Sequence, residues 1–222
     1  MINSDSFISV QGHGYINVVP DVMRLDIGVS VSFNSYKEAY ARGKENTEWV
    51  SKILDDNEQD PELAKIINFD LGEEIKTEQG TELKEHQGKR EKRYRLEQKI
   101  RIDLPINLSL VSKIIRSVGE KLPGVSIDIG YTLYDIHQTQ LHILENAVSD
   151  SGVKAKIMAE AAGCSLGRVA QINYQINSPG VYQHVRTIHN NEEAKASTPE
   201  ALNIYPDDFT ISDTVEVTWN LR

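Results

Sequence analysis

One cysteine, Cys164, stands in 222 residues. A lone thiol excludes an intrachain disulfide and any cysteine-cluster metal site. Long apolar runs are missing too, since no stretch approaches the ~20 residues that a membrane-spanning helix needs. The opening Met1-Ile2-Asn3-Ser4-Asp5-Ser6 lacks the basic and then apolar stretches of a signal peptide. The chain as written is therefore expected in the cytoplasm, or in the periplasm or beyond if it is the mature part of an exported protein. Positive charge is in short supply, with 24 Lys and Arg against 33 Asp and Glu, a net charge of −9. That balance argues against nucleic acid wrapped over the whole surface, because phosphate neutralisation drives such binding. What remains, 39% hydrophobic and 26% charged, is the composition of a globular protein of one large domain or two small ones.

The apolar pattern has mostly a period of two. Ile8, Val10, Ile16 and Val18 alternate with Ser9, Gln11, His13 and Asn17, which predicts a half-buried strand with Gly12 and Gly14 on its apolar face. Glycines there predict a bulge or a close backbone approach. After Pro20-Asp21, Met23 to Phe33 alternates again, and the short turn predicts antiparallel pairing with the first strand. Ser35 and Glu38 fit a capping box, predicting a helix to about Asp56. A strand from Ala64 to Ile75, a polar mobile hairpin loop from Thr77 to Glu91, and a strand carrying Tyr94, Leu96, Ile100, Ile102 and Leu104 follow. On this last strand Arg93, Arg95, Glu97, Lys99, Arg101 and Asp103 face the other way, as a charged solvated surface.

Asn107 is expected to cap a second helix with Leu108, Val111, Ile114, Ile115 and Val118 on one face. Val125 to Leu133 forms a fifth strand. Asp135 caps a long helix closed by Gly163, its buried side drawn by Leu141, Leu144, Val148, Ala155, Ala159 and Ala162. Val169 to Ile176 is a sixth strand. Ser178 to Asp208 shows no period and is expected as a loop of about thirty residues, a length that is functional or mobile in a compact domain. Phe209 to Leu221 alternates as the last strand. The order ββα-ββα-βα-ββ predicts an α+β fold, a largely antiparallel sheet or sheets covered by helices, in a single domain over 1–222 or in two lobes sharing the long helix 136–163.

Residues that could carry chemistry are few. Gly12-His13-Gly14 lacks the third glycine of a dinucleotide loop and runs on as a strand, so it reads as a β-bulge. His137 and His142 are five apart, where a zinc helix needs four. His184 and His189 have no cysteine partner and read as surface or capping residues. Cys164 follows a helix C-terminus, the wrong end to favour a thiolate, and reads as a small buried residue. No Gly-x-Ser-x-Gly is present. No catalytic, cofactor-binding or metal-ligating residue is therefore expected. The one charge asymmetry is a basic tract, net +5 from Lys84 to Arg101, which leaves −14 elsewhere. Lys89, Arg90, Lys92, Arg93 and Arg95 are its candidates for contact with a polyanion or with another copy of the chain.

Several segments resemble the SIMPL-domain family, named for a signalling molecule that associates with a pelle-like kinase. Ile8-Ser9-Val10-Gln11-Gly12-His13-Gly14 with Pro20-Asp21 is similar to the family's V-x-G-x-G…P-D entry. Glu38-Ala39 and Asn46 resemble its next block. Asn146 to Asp150 with Lys154-Ala155 and Ala159 resembles its A-x-x-D-A-x-x-K-A helix, and Leu166-Gly167-Arg168-Val169 its L-G-x-V turn. Pro206 and Ile211 to Trp219 resemble the closing block. Ser151-Gly152 and Asp207 depart from the pattern, in the alanine-rich helix and in the last turn. The resemblance implies an α+β architecture, bacterial relatives that are mostly exported and linked to stress tolerance, and no catalytic residues to carry over.

The expectation is then a non-enzymatic, self-associating interaction or scaffold protein, with a homo-oligomer as its partner state. The alternative is a polyanion or nucleic-acid binding module built on the basic hairpin. A weaker third reading is a hydrolase whose residues meet only in the fold.

Overall fold

The computed structural model describes residues 6–77, 90–175 and 181–222. Its elements are β1 (Phe7–Val18), β2 (Val22–Phe33), α1 (Tyr36–Asp56), β3 (Lys65–Thr77), β4 (Arg90–Pro105), α2 (Leu108–Lys121), β5 (Val125–Thr132), α3 (Ile136–Ala161), β6 (Leu166–Asn173), β7 (Gln183–Ile188), α4 (Asn191–Lys195), α5 (Pro199–Leu202) and β8 (Phe209–Leu221). The fold is α+β, with two antiparallel sheets ordered β1-β8-β6 and β3-β4-β2-β5-β7. The expected hairpin loop lies mostly in 78–89, outside the described residues. The chain divides into two units, 1–20 with 133–182 and 206–222, and 21–132 with 183–205.

In the first unit β1 pairs with β8, Ile8 opposite Trp219 and Val18 opposite Phe209. The expected β1–β2 hairpin is thus corrected, because the alternation of β1 suits any strand with one buried face and says nothing about which strand pairs with it. Helix α3 lies on this sheet. Its cap is as expected, with Asp135 Oδ1 accepting from Gln138 N at 2.9 Å. Its end is a Schellman turn, in which Gly163 at φ +75° lets Cys164 N donate to Ala159 O. Its buried stripe is Ile143, Ala147, Ser151, Ala155 and Ala159. The expected stripe shared only Ala155 and Ala159 with it. Leu141 and Ala162 are exposed, and Leu144 and Val148 are half-buried.

The glycines of β1 cause this shift. A Cβ on Gly14 would meet Ile143 O and lie 2.9 Å from Ala147 N, and one on Gly12 would meet Ala147 O and lie 2.9 Å from Ser151 N. Each glycine therefore lies under one rung of the helix ladder, 143 to 147 and then 147 to 151. Two strand residues advance ~6.8 Å and four helical residues ~6 Å, so the two repeats match. No register shift interrupts β1 against β8. Of the two expectations for these glycines, the β-bulge is corrected and the close backbone approach holds, which favours small residues on α3. The departure at Ser151-Gly152 fits here, since Ser151 Oγ donates to Val148 O at 2.7 Å and the Trp219 ring passes over Gly152.

In the second unit α1 and α2 pack on one face of the five-stranded sheet. Met23, Leu25, Ile27, Ile100, Ile102, Ile114, Ile115, Ile127, Ile129 and Tyr131 are fully buried between the layers. Both helix caps are as expected: Ser35 Oγ accepts from Glu38 N at 3.2 Å and Asn107 Oδ1 from Leu110 N at 3.1 Å. The expected thirty-residue loop is corrected. Past the undescribed 176–180 it contains β7, which extends the sheet beside β5, and the short helices α4 and α5. The sequence hides them because β7 is an edge strand with mixed burial and α4 spans barely one turn. Ile188, Ala194 and Leu202 join the core, Asn191 Nδ2 donates to Gly119 O and to Leu122 O, and Arg186 pairs with Glu193 at 2.8 Å.

Candidate functional site

The face of the five-stranded sheet turned away from α1 and α2 carries the charged residues that alternate with the core. Antiparallel register sets Asp26 opposite Arg101 on one side and Asp128 on the other. Arg101 grips Asp26 with two bonds, Nε to Oδ1 at 2.7 Å and Nη2 to Oδ2 at 2.9 Å. Lys99 Nζ bridges Asp26 at 3.2 Å and Asp128 at 3.6 Å. Thr187 Oγ1 donates to Asp128 at 2.8 Å, and His184 Nε2 lies 2.9 Å from that hydroxyl. Arg24 and Asp103 form a second bidentate pair. Burial pushes the Asp26 carboxyl up, but Arg101 and Lys99 outweigh it and hold its pKa below the usual aspartate value. Such a carboxylate is a weak proton acceptor at neutral pH. The lattice neutralises its own charges and ties β2, β4, β5 and β7 together.

The basic candidates are spread along β4. Lys89 lies outside the described residues, and Arg90 opens the strand. Lys92 Nζ is 2.6 Å from Glu73 and lies over the Tyr94 ring. Arg93 Nη2 donates to Ser32 O at 3.0 Å. Arg95 pairs with Glu97 at 2.7 Å. Alternation puts Arg93 and Arg95 on the charged face and Lys92 at its reverse, so the three do not converge on one patch. Tyr94 meets Tyr36 edge to face at 6.1 Å. Lys92, Arg93 and Arg95 thus meet carboxylates or carbonyls of their own sheet.

A different feature appears at the sheet edge. Strand β3 pairs with β4 alone among the described residues, leaving its other edge without a partner strand. Its apolar side chains Ile66, Ile67, Phe69 and Ile75 are exposed by 40–64%. Beside them a cleft of about 430 Å³ opens between β3 and α1, lined by Tyr40, Gly43, Lys44, Thr47, Glu48, Ile66 and Phe69. Gly43 makes it possible, because a Cβ there would lie 2.5 Å from the Phe69 ring. Tyr40 holds that ring edge to face at 6.2 Å. Under the cleft Gln98 Nε2 donates to Gly43 O at 3.0 Å and to Thr47 Oγ1 at 2.9 Å, and Asn46 Nδ2 donates to Gln98 Oε1 at 3.1 Å. The buried amide pair fixes α1 against β4 and so fixes the cleft's wall. Sequence reasoning missed this place. Its signal was the adjacent Ile66-Ile67, two apolar residues in a strand of period two, which mark the register shift between Ile66 and Asn68.

The remaining candidates stay apart. His137 and His142 are exposed on α3, and Cys164 is half-buried where a buried residue was expected. Among the described residues no three of His, Cys, Asp and Glu gather as metal ligands, and no helix is long and apolar enough to cross a membrane. A two-sheet antiparallel α+β fold, with an entry strand whose glycines lie under a long small-residue helix, defines the class. The chain belongs to the SIMPL family, described as "protein of unknown function (DUF541)", whose family profile matches residues 8–219. Comparison with curated proteins gives no match.

Proposed function

We propose that the chain is a non-enzymatic interaction protein that assembles with copies of itself through the β3 edge. The observation that carries this is a strand edge that has no partner among the described residues, with exposed apolar side chains running beside an apolar cleft. Edge strands of soluble proteins are commonly blunted by charge, proline or a covering element, because a flat apolar edge pairs with another chain. Here Ile66, Ile67 and Phe69 stay exposed. Strand addition satisfies the open backbone groups, and the cleft accepts a side chain from the arriving strand.

Light scattering after gel filtration tests the proposal. At roughly 50 µM, where micromolar affinity fills most sites, the native chain gives a mass above one protomer, and Phe69→Glu with its circular dichroism intact gives one protomer. A native chain that is strictly monomeric at that concentration, whatever the salt, overturns it.

A further inference from the structure

The β3 edge also has a register in which it can meet itself. In an antiparallel pair, residues directly opposite each other point to the same side of the sheet. A strand paired with its own copy about a two-fold axis must therefore be centred on one residue, which faces itself. Centring on Asp70 sets two carboxylates against each other. Centring on Leu71 sets Phe69 against Glu73 of the other copy. Centring on Phe69 has neither fault. The register against β4 puts Ile66, Phe69 and Leu71 on the helix side, opposite Ile100, Gln98 and Leu96, and puts Lys65, Asn68, Asp70, Gly72 and Glu74 on the charged side.

We infer that two copies join their five-stranded sheets by antiparallel pairing of β3 with β3, centred on Phe69. This rests on the self-association proposed above and names its partner and register. On the helix side Phe69 meets the second copy's Phe69. The extra residue at the Ile66/Asn68 shift then lets Ile66 meet Leu71, so the apolar cleft continues across the junction. On the charged side Asn68 faces Asp70, an amide against a carboxylate. Lys65 arrives opposite Gly72, with Asp70 and Glu74 as its diagonal neighbours. Nothing lies within 4 Å of where a Gly72 Cβ would be, so a lysine stem has room to cross there. Both ends of the pairing carry this charge match, because the axis repeats it.

Cysteine cross-linking tests the register in a Cys164→Ser background. Opposed residues in an antiparallel pair have Cα atoms ~4.5 or ~5.5 Å apart, within disulfide reach, whereas positions two residues out of register exceed ~7 Å. Phe69→Cys is expected to give a covalent dimer under mild oxidation in about tenfold greater yield than Asn68→Cys or Asp70→Cys. A second variant, Ile66→Cys with Leu71→Cys, keeps Phe69 and is expected to cross-link where neither single change does. If the native chain is multimeric by light scattering but neither variant cross-links, or all positions cross-link alike, the register is overturned and self-association stands. If the native chain is also monomeric, both are overturned.

Discussion

Gly14→Ala probes the contact on which the first unit is built. The added methyl would press on the helical bond between Ile143 O and Ala147 N, lying 2.9 Å from that nitrogen and nearer still to the oxygen. Ordinary contact begins at about 3.4 Å, so α3 must withdraw by at least half an ångström, and by more over the carbonyl. A gap of 0.5–1 Å forfeits a quarter to a half of the dispersion energy of the facing atoms. The loss falls on the whole buried stripe from Ile143 to Ala159. Overpacking costs about 1–3 kcal/mol, and the obstacle here is backbone that cannot change rotamer, which selects the upper end. At about 2–4 °C per kcal/mol for a chain of this size, the midpoint falls by roughly 6–12 °C. The chain has two tryptophans, Trp49 and Trp219. Trp49→Phe leaves Trp219, which packs on α3, to report the unfolding of this unit by fluorescence. A Gly14→Ala midpoint within about 1 °C of the parent would refute the claim that β1 and α3 touch through backbone.

Asp26→Asn should destabilise the second unit by about 2 kcal/mol in urea unfolding, the cost of a buried pair reduced because Arg101 and Lys99 reach solvent; an unchanged midpoint would show the lattice to be idle. The same carboxylate gives a pH dependence with a definite sign. Its folded pKa is below the unfolded value of about 3.9, so its stabilisation is present above that value and is lost as the pH falls through the folded pKa. Asp150, held down by the Lys154 ammonium and the His13 N–H, and Glu193, held down by Arg186 and the His189 N–H, act in the same direction with less weight because they are only half-buried, where Asp26 is buried. Acid titration of Asp26→Asn should accordingly show a shallower loss of stability below about pH 4 than the parent, and equal slopes would contradict it.

How far the sequence could be read depended on the range of the cause. Period-two alternation located the strands from Phe7 to Val18 and from Val22 to Phe33, and Ser35, Asn107 and Asp135 located helix starts, because caps and faces are set by neighbours within a few residues. The stripe on α3 was misjudged because hydrophobicity pointed to Leu141 and Leu144, whereas the glycines on another strand selected Ala147 and Ser151. The elements β7 and α4 were missed because each is too short to show a period and is held by partners far along the chain, Asn191 by Gly119 and Leu122 among them. The cleft beside Phe69 was invisible for the same reason, since Gly43 and Phe69 meet only once α1 lies across the sheet.

By itself the sequence determined the class, the caps of the three long helices and the charged and apolar faces of β4, all of which follow from local sterics and side-chain polarity. Only the tertiary structure decided that β1 pairs with β8, that Asp26 lies under Arg101 and Lys99, and that β3 exposes apolar side chains along an edge with no partner among the described residues. Strand pairing is chosen by burial summed over the whole chain, and no local window contains that sum.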